Sequence, residues 1–390
     1  MQYNFDEIVD RSGSNAVKLE KLKPVFGHED LIPLWVADME FKSPPAIIEA
    51  LKQRVEHGVF GYTLPSGEYI SSIVNWLERR HHWRIKGEHI NFVPGVVKGF
   101  AFAIDEFTNK GDKVIIQPPV YHPFRIVTSS LGREVVNNPL ILENGQYKMD
   151  FEGLRKIASG GDCKMLILCN PHNPGGRAWF PEELSELADI CHENNILVVS
   201  DEIHADMALK GYRHTPFASV SPKAEEISLT LMAPSKTFNI AGIVSSFAVI
   251  PNGEIRRRYL AYLEPRELQQ GTIFAFTATR AAYDECEEWL DQMLAYVQAN
   301  IDFVDEYLKE NIPEIKAILP EASFLIWLDC RALNLTQREL VKLFIEKAHL
   351  ALNDGTMFGP GGEGFMRLNV GCPRTLLEKG LNNLKKAVHP

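Results

Sequence analysis

Leu231-Met232-Ala233-Pro234-Ser235-Lys236-Thr237-Phe238-Asn239-Ile240-Ala241-Gly242 joins a mostly apolar, β-rich run, Ile227 to Met232, to a second strand-like run, Ile243 to Ile250. The first run reads as a buried strand that breaks at Pro234. One lysine, Lys236, follows the break between Ser235 and Thr237. An ammonium at the rim of a buried sheet is costly to desolvate. Partial burial lowers a lysine pKa, and a neutral amine is the nucleophile that condenses with an aldehyde. On its own, a solvated loop lysine is the commoner outcome. The neighbours decide.

Working outward, Ile196 to Ser200 is a strand ending at Asp201-Glu202, with His204 just beyond. Lys164 to Cys169 is another, ending at Asn170-Pro171-His172-Asn173-Pro174-Gly175-Gly176. Between them a helix starts at Pro181, with Leu184, Leu187, Ala188 and Cys191 as its apolar stripe. Lys113 to Ile116 stops at Pro118-Pro119, before Tyr121, and Asn91 to Val93 runs into Pro94-Gly95 and a helix through Phe107. Short continuous apolar strands separated by helices indicate an α/β fold whose mostly parallel sheet is covered on both faces.

The flanks differ. Residues 1 to about 40 lack periodicity and read as an arm that includes Trp35-Val36-Ala37-Asp38-Met39. Ser43 is the expected N-cap of a helix with Pro44 in its first turn, Ile47, Ile48, Leu51 and Val55 on one face and Gly58 at its close. Beyond 281, Cys286, Leu290, Met293, Val297, Ile301, Val304 and Leu308 mark one long amphipathic helix ending before Pro313. Phe324 to Asp329 is a strand, and Arg367 sits on the alternating run Phe365 to Asn369. The expected layout is an arm (1–45), a large domain (46–284) and a smaller α+β domain (285–390) to which both chain ends contribute.

Composition narrows the class. A net charge of -10, with Arg256-Arg257-Arg258 the only basic block, argues against a nucleic-acid surface. Six cysteines without a C-x-x-C pair suit free thiols in a reducing compartment. No signal-peptide pattern opens the chain and no apolar run reaches membrane-spanning length, so a cytoplasmic protein without membrane contact is expected. Neither a His-Glu-x-x-His zinc motif nor a Gly-x-Ser-x-Gly elbow occurs.

Ligands of open parallel sheets sit beyond the carboxyl ends of the strands. Gly95, Tyr121, Asn173, Asp201, His204 and Lys236 all follow such ends. Singly, each has an ordinary reading. Gly95 and Asn173 are turn residues, Tyr121 a rim aromatic, Asp201 a helix cap, His204 a packed histidine and Arg367 a surface ion-pair partner. Their order carries more.

In that order the chain resembles the fold-type I pyridoxal-phosphate (PLP) enzymes of the class I/II aminotransferase superfamily. The match includes Gly95, Tyr121, Asn-Pro-x-Asn-Pro-Gly ending at Gly175, Asp201-Glu202, Ser235-Lys236 and Arg367. Within it, five segments are similar to the MalY/PatB group of cystathionine β-lyases. These are Trp35 to Met39, Gly58-Val59-Phe60-Gly61-Tyr62, Ser200-Asp201-Glu202-Ile203-His204, Ser235 to Asn239, and Arg367-Leu368-Asn369-x-Gly371-Cys372-Pro373-Arg374.

The resemblance implies a role for each residue. Lys236 would bind the cofactor aldehyde and later take the substrate Cα proton. Asp201 would pair with the pyridine nitrogen, and Asn173 with the ring oxygen as well as lying by the substrate. His204 would lie behind the ring, while Tyr121 would stack on it and take a proton from the incoming amine. The backbone at Gly95, Val96 and Val97, with Ser235, would hold the phosphate, and Arg367 the α-carboxylate of an amino-acid substrate. Tyr62 would reach a partner's phosphate, implying a homodimer with shared sites.

Three departures stand out. His204 stands three residues after the aspartate, where many aminotransferases carry tyrosine. Val244 occupies the place, eight residues after the lysine, where many aminotransferases carry arginine. Lys18-Leu19-Glu20 replaces a Lys-Trp-Asp of relatives. The implied reaction is β-elimination from cystathionine or another S-substituted cysteine, giving pyruvate, ammonia and a thiol. Transamination is the alternative, and a regulatory protein-binding role a more distant one. Composition and periodicity do not separate them.

Overall fold

A computed structural model describes residues 1–389. Seven strands build the large sheet: β1 (Ile90–Val93), β2 (Lys113–Ile116), β3 (Glu134–Asn137), β4 (Cys163–Cys169), β5 (Leu197–Asp201), β6 (Ser228–Met232) and β7 (Ser246–Val249). Their spatial order is β1-β7-β6-β5-β4-β2-β3. Only β7 runs against its neighbours; the β2/β3, β2/β4, β4/β5 and β5/β6 pairs are parallel.

Alternation along the buried strands divides their side chains between two cores. Leu166, Leu168 and Val198 pack with Leu184, Leu187, Ala188 and Cys191 of the Pro181–Glu193 helix. Met165, Ile167, Val199, Leu229 and Leu231 pack on the other face with Phe100, Ala103 and Ile104 of the Val96–Phe107 helix. That helix comes close because residue 99 is glycine; a Cβ there would lie 2.7 Å from Leu231 Cδ2. Burial on both faces explains why the strands read as continuous apolar runs.

A second, antiparallel sheet holds β8 (Lys316–Ile318), β9 (Leu325–Asp329), β10 (Asn353–Asp354) and β11 (Phe365–Asn369) in the order β8-β9-β11-β10. Both ends of the chain meet beside it, since Ile32–Pro33 pairs in parallel with Leu350–Ala351. No described helix is long and apolar enough to cross a membrane. All six cysteines are buried and free.

Several local expectations need correction. The arm contains two short helices, Val17–Glu20 and Leu22–Phe26, too brief for a periodicity window to register. Lys18 on the first of them is buried, 2.8 Å from both Asp38 and Glu40. Ser43 does not cap the next helix, which spans Pro45–Glu56 behind Pro44 with no side-chain cap. Its hydroxyl instead donates to the Asn239 carbonyl at 3.0 Å. On that helix Ile47 is fully buried, but Ile48 and Val55 are 38% and 52% exposed. The strand expected from Ile243 begins only at Ser246, because Ala241–Ile243 forms a 3-10 turn and Val244 is left-handed (φ 55°). The long helix spans Glu287–Asn311, with Cys286 as its N-cap behind a separate Ile273–Glu285 helix.

Candidate active site

Every site residue expected from the sequence except Tyr62 lines one cavity of about 510 Å³ at the carboxyl edge of the large sheet. Tyr62 lies outside it and is fully exposed.

Lys236 is reached through β6 and the turn at Pro234, and its Nζ donates to the Ala37 carbonyl at 2.6 Å. Burial, reinforced by the nearby Arg367 cation, lowers its pKa to about 8; Asp38 and Asp201 offset this in part. The lysine segment is held rigidly from behind. Thr237 donates its hydroxyl to Asp206 at 3.0 Å. The same carboxylate accepts from Trp76 Nε1 at 2.8 Å and lies 2.8 Å from His81 Nε2. Asn239 clasps the arm, donating to the Met39 and Phe41 carbonyls and accepting from the Met39 N–H.

Asp201 ends β5, and among the described residues its carboxylate accepts only the Ile203 N–H, at 3.2 Å. Burial raises its pKa to about 7. A buried carboxylate with so little compensation is poised to gain from a cation placed beside it. Glu202, by contrast, points away into a satisfied network. It accepts from Ser200, Asn170 and the Phe217 N–H, and lies 2.8 Å from His214. His204 is buried with Nδ1 unpartnered, and burial holds its pKa near 3.

Arg367, on β11, is buried without a carboxylate partner among the described residues. It donates to Asn173 Oδ1 at 3.0 Å, to Asn353 Oδ1 at 2.6 Å and to the Trp35 carbonyl at 2.9 Å, while its Nε has no partner. Burial lowers even this guanidinium to about 10. A buried cation held only by neutral oxygens is a binding site for an anion.

At the opposite end of the cavity, Gly95 (φ 117°) turns β1 into the Val96–Phe107 helix. Its N–H donates to Ser246 Oγ at 2.7 Å, while the first-turn N–H groups of Val96 and Val97 have no intrahelical acceptor. Such a helix start favours a phosphate. Lys98 lines this end too, exposed and in no ion pair among the described residues. Val244 lines the same cavity.

Sequence reasoning missed Lys98, Asn353, His122 and Asp206. Lys98 had a usable signal, a lysine in the first turn after Pro94-Gly95. Asn353 had none, because only pairing of β10 with β11 sets it opposite Arg367.

The residues present suit a phosphorylated pyridine aldehyde. They offer an amine of lowered pKa, a buried carboxylate able to face a ring cation, and unpaired N–H groups for a phosphate. The chain belongs to the aminotransferase class I and II family, whose model matches residues 29–384. Among its relatives is the cystathionine beta-lyase PatB of Bacillus subtilis (strain 168), 44% identical over 99% of this chain and 100% of that one. Cystalysin of Treponema denticola, solved with pyridoxal 5'-phosphate, superposes with a TM-score of 0.96 at 36% identity, covering 100% of this chain and 99% of that one. The PLP-bound C-S lyase of Staphylococcus hominis gives 0.94 at 33% identity, with the same coverage.

Proposed function

We propose that this chain is a PLP-dependent carbon–sulfur β-lyase that cleaves cystathionine or another S-substituted cysteine to pyruvate, ammonia and a thiol. The observation that carries the reading is one cavity holding Lys236, Asp201 and Arg367. They supply an amine of lowered pKa, a buried carboxylate and a buried guanidinium with no counter-ion among the described residues. Family membership and the C–S lyase relatives support it.

When bound, the cofactor supplies an electrophilic aldehyde and a ring that accepts the electron pair released at Cα. Lys236 would hold the aldehyde end of the cofactor, and its Nζ would serve as the base for the substrate Cα proton. A pKa near 8 makes that amine an effective base close to neutrality. Asp201 would keep the ring nitrogen protonated, which its own buried, under-bonded state favours. Asn173 and His204, which line the same cavity, would hold the ring oxygen and the back of the ring. Arg367 clamps the α-carboxylate, exchanging neutral amide and carbonyl oxygens for a charged partner. The phosphate end uses the N–H groups at Val96 and Val97 on the turn made by Gly95, the Ser235 hydroxyl and Lys98.

Tyr121 would stack on the ring. Burial, with the Asp201 charge, pushes its phenol up to about 12.

Tyr62 lies outside this chain's own cavity and is assigned to the site of a second copy. It lies in a run whose Val59, Phe60 and Leu64 are also exposed, which supports a homodimer with shared sites.

The test is to load purified protein with pyridoxal phosphate and supply cystathionine. Release of pyruvate and a thiol in equal amounts is expected. Steady conversion of amino acid to keto acid, with an acceptor keto acid consumed and no thiol formed, overturns the lyase reading in favour of transamination.

A further inference from the structure

We propose that Lys18 and Arg11 are positioning residues for the reaction. Acting from the arm through Asp38 and Glu40, they hold the segment Trp35–Asp38 in place as a wall of the active-site cavity. This inference rests on the reading of that cavity as a pyridoxal-phosphate site, and goes beyond it in naming what sets the position of Lys236 and Arg367.

Trp35, Val36 and Ala37 line the cavity, and their segment belongs to no helix or strand. Side chains hold it instead, because each carbonyl from Trp35 to Asp38 accepts from one. Trp35 accepts from Arg367 at 2.9 Å, Val36 from Asn369 at 2.6 Å and Ala37 from Lys236 Nζ at 2.6 Å. Asp38 accepts from Asn369 at 2.7 Å and from Lys18 Nζ at 2.8 Å. In return, the Trp35 indole donates to the Lys18 carbonyl at 3.0 Å.

Arg367 and Lys236 are also the groups that a bound substrate and cofactor take up. The contacts to the Trp35 and Ala37 carbonyls are therefore the ones surrendered in the loaded site. Asn369 and the arm cluster still fix the segment there. Lys18 is 1% exposed, with its Nζ 2.8 Å from both Asp38 Oδ1 and Glu40 Oε1. Arg11 reaches the same carboxylates at 2.8 and 2.9 Å. Matched cations and carboxylates leave no net charge in a part-buried cluster. Burial works against the Asp38 charge, but Lys18 and Arg11 outweigh it and keep its pKa below the usual value. Without Lys18, Asp38 and Glu40 share one guanidinium, a single residue away from the Ala37 contact to Lys236.

The test uses the holoenzymes of Lys18→Met and Arg11→Met. Lys18→Met should raise KM for cystathionine by about tenfold, because the Arg367 clamp loses the wall it is set against, and lower kcat less. Affinity for pyridoxal phosphate should stay within about twofold, since Asp201 and the phosphate end stand on the large sheet and its helix. The pH midpoint of the bound cofactor's visible band should move up by about half a pH unit, as a cation near Lys236 is removed. The charges acting on that amine are those of Arg367, Asp38, Asp201 and Lys18. Tyr121, His122 and His204, which share its cavity, are held neutral by burial. Arg11→Met should move KM and midpoint the same way by less, and Arg11→Lys should restore most of both. Unchanged KM and midpoint in Lys18→Met, or in Arg11→Met if Lys18→Met does not fold, overturn the proposal and leave the lyase reading intact. A loss of cofactor affinity as large as the rise in KM also overturns it, as general loosening. Failure of the unaltered holoenzyme to release thiol from cystathionine overturns the lyase reading instead.

Discussion

The Arg367 guanidinium donates to the side-chain oxygen of Asn173 across 3.0 Å, joining β11 of the small sheet to the turn after β4 of the large one. Neither residue bonds a carboxylate among the described residues, so the guanidinium is a preformed donor for one. Arg367→Ala should raise KM by about two orders of magnitude, the scale of losing a charge-assisted clamp. Steady-state kinetics with cystathionine check this. An unchanged KM would sink the clamp assignment.

Lys236→Ala should abolish thiol release and leave the fold standing, since Thr237 and Asn239 anchor the segment independently of the lysine. Circular dichroism and borohydride reduction with peptide mapping check the two halves. A pyridoxyl label on another lysine of the unaltered protein would refute the assignment.

Asp201 also makes stability depend on pH in the cofactor-free protein. Its pKa is raised from 3.8 to about 7, so between these values the folded chain holds a proton that the unfolded chain has released. Its stabilising contribution is full below the lower value and is lost as pH rises through the window. Asp201→Asn should flatten this part of a urea-denaturation series. Lys236 acts in a higher range. Lowered from 10.5 to about 8, it makes stability rise with pH between those values, where the unfolded chain holds the extra proton.

Glu321 anchors the loop between β8 and β9 to the large sheet. It accepts from Arg177 at 2.7 and 2.8 Å, from the Ala178 N–H at 2.9 Å and from Gln146 at 3.1 Å. Glu321→Ala leaves the buried Arg177 with Glu183 alone, 2.7 Å away, and should cost about 1–3 kcal/mol. Chemical denaturation measures it; a loss below about 1 kcal/mol would show the pair to be dispensable.

Lys98→Ala should weaken pyridoxal phosphate binding by about tenfold, as one charge-assisted phosphate contact is lost. Equilibrium dialysis of cofactor-free protein reads this directly. Equal affinity would return the phosphate to the helix N–H groups and Ser235 alone.

What the chain order determined was local. β4, β5 and β6 are buried on both faces, so their apolar runs and the residues ending them could be read along the chain. Asn173, Asp201 and Lys236 were found that way. The arm helices and the late start of β7 were not, because a helix of four or five residues leaves no periodic trace and Val244 turns through a left-handed conformation. Tertiary structure alone decided who surrounds the charged groups. The Trp35 carbonyl reaches Arg367 across 332 positions, and Ala37 reaches Lys236 across 199. Backbone carbonyls have no sequence signature, and pKa shifts come from burial. Both exist only once the arm closes over the edge of the sheet.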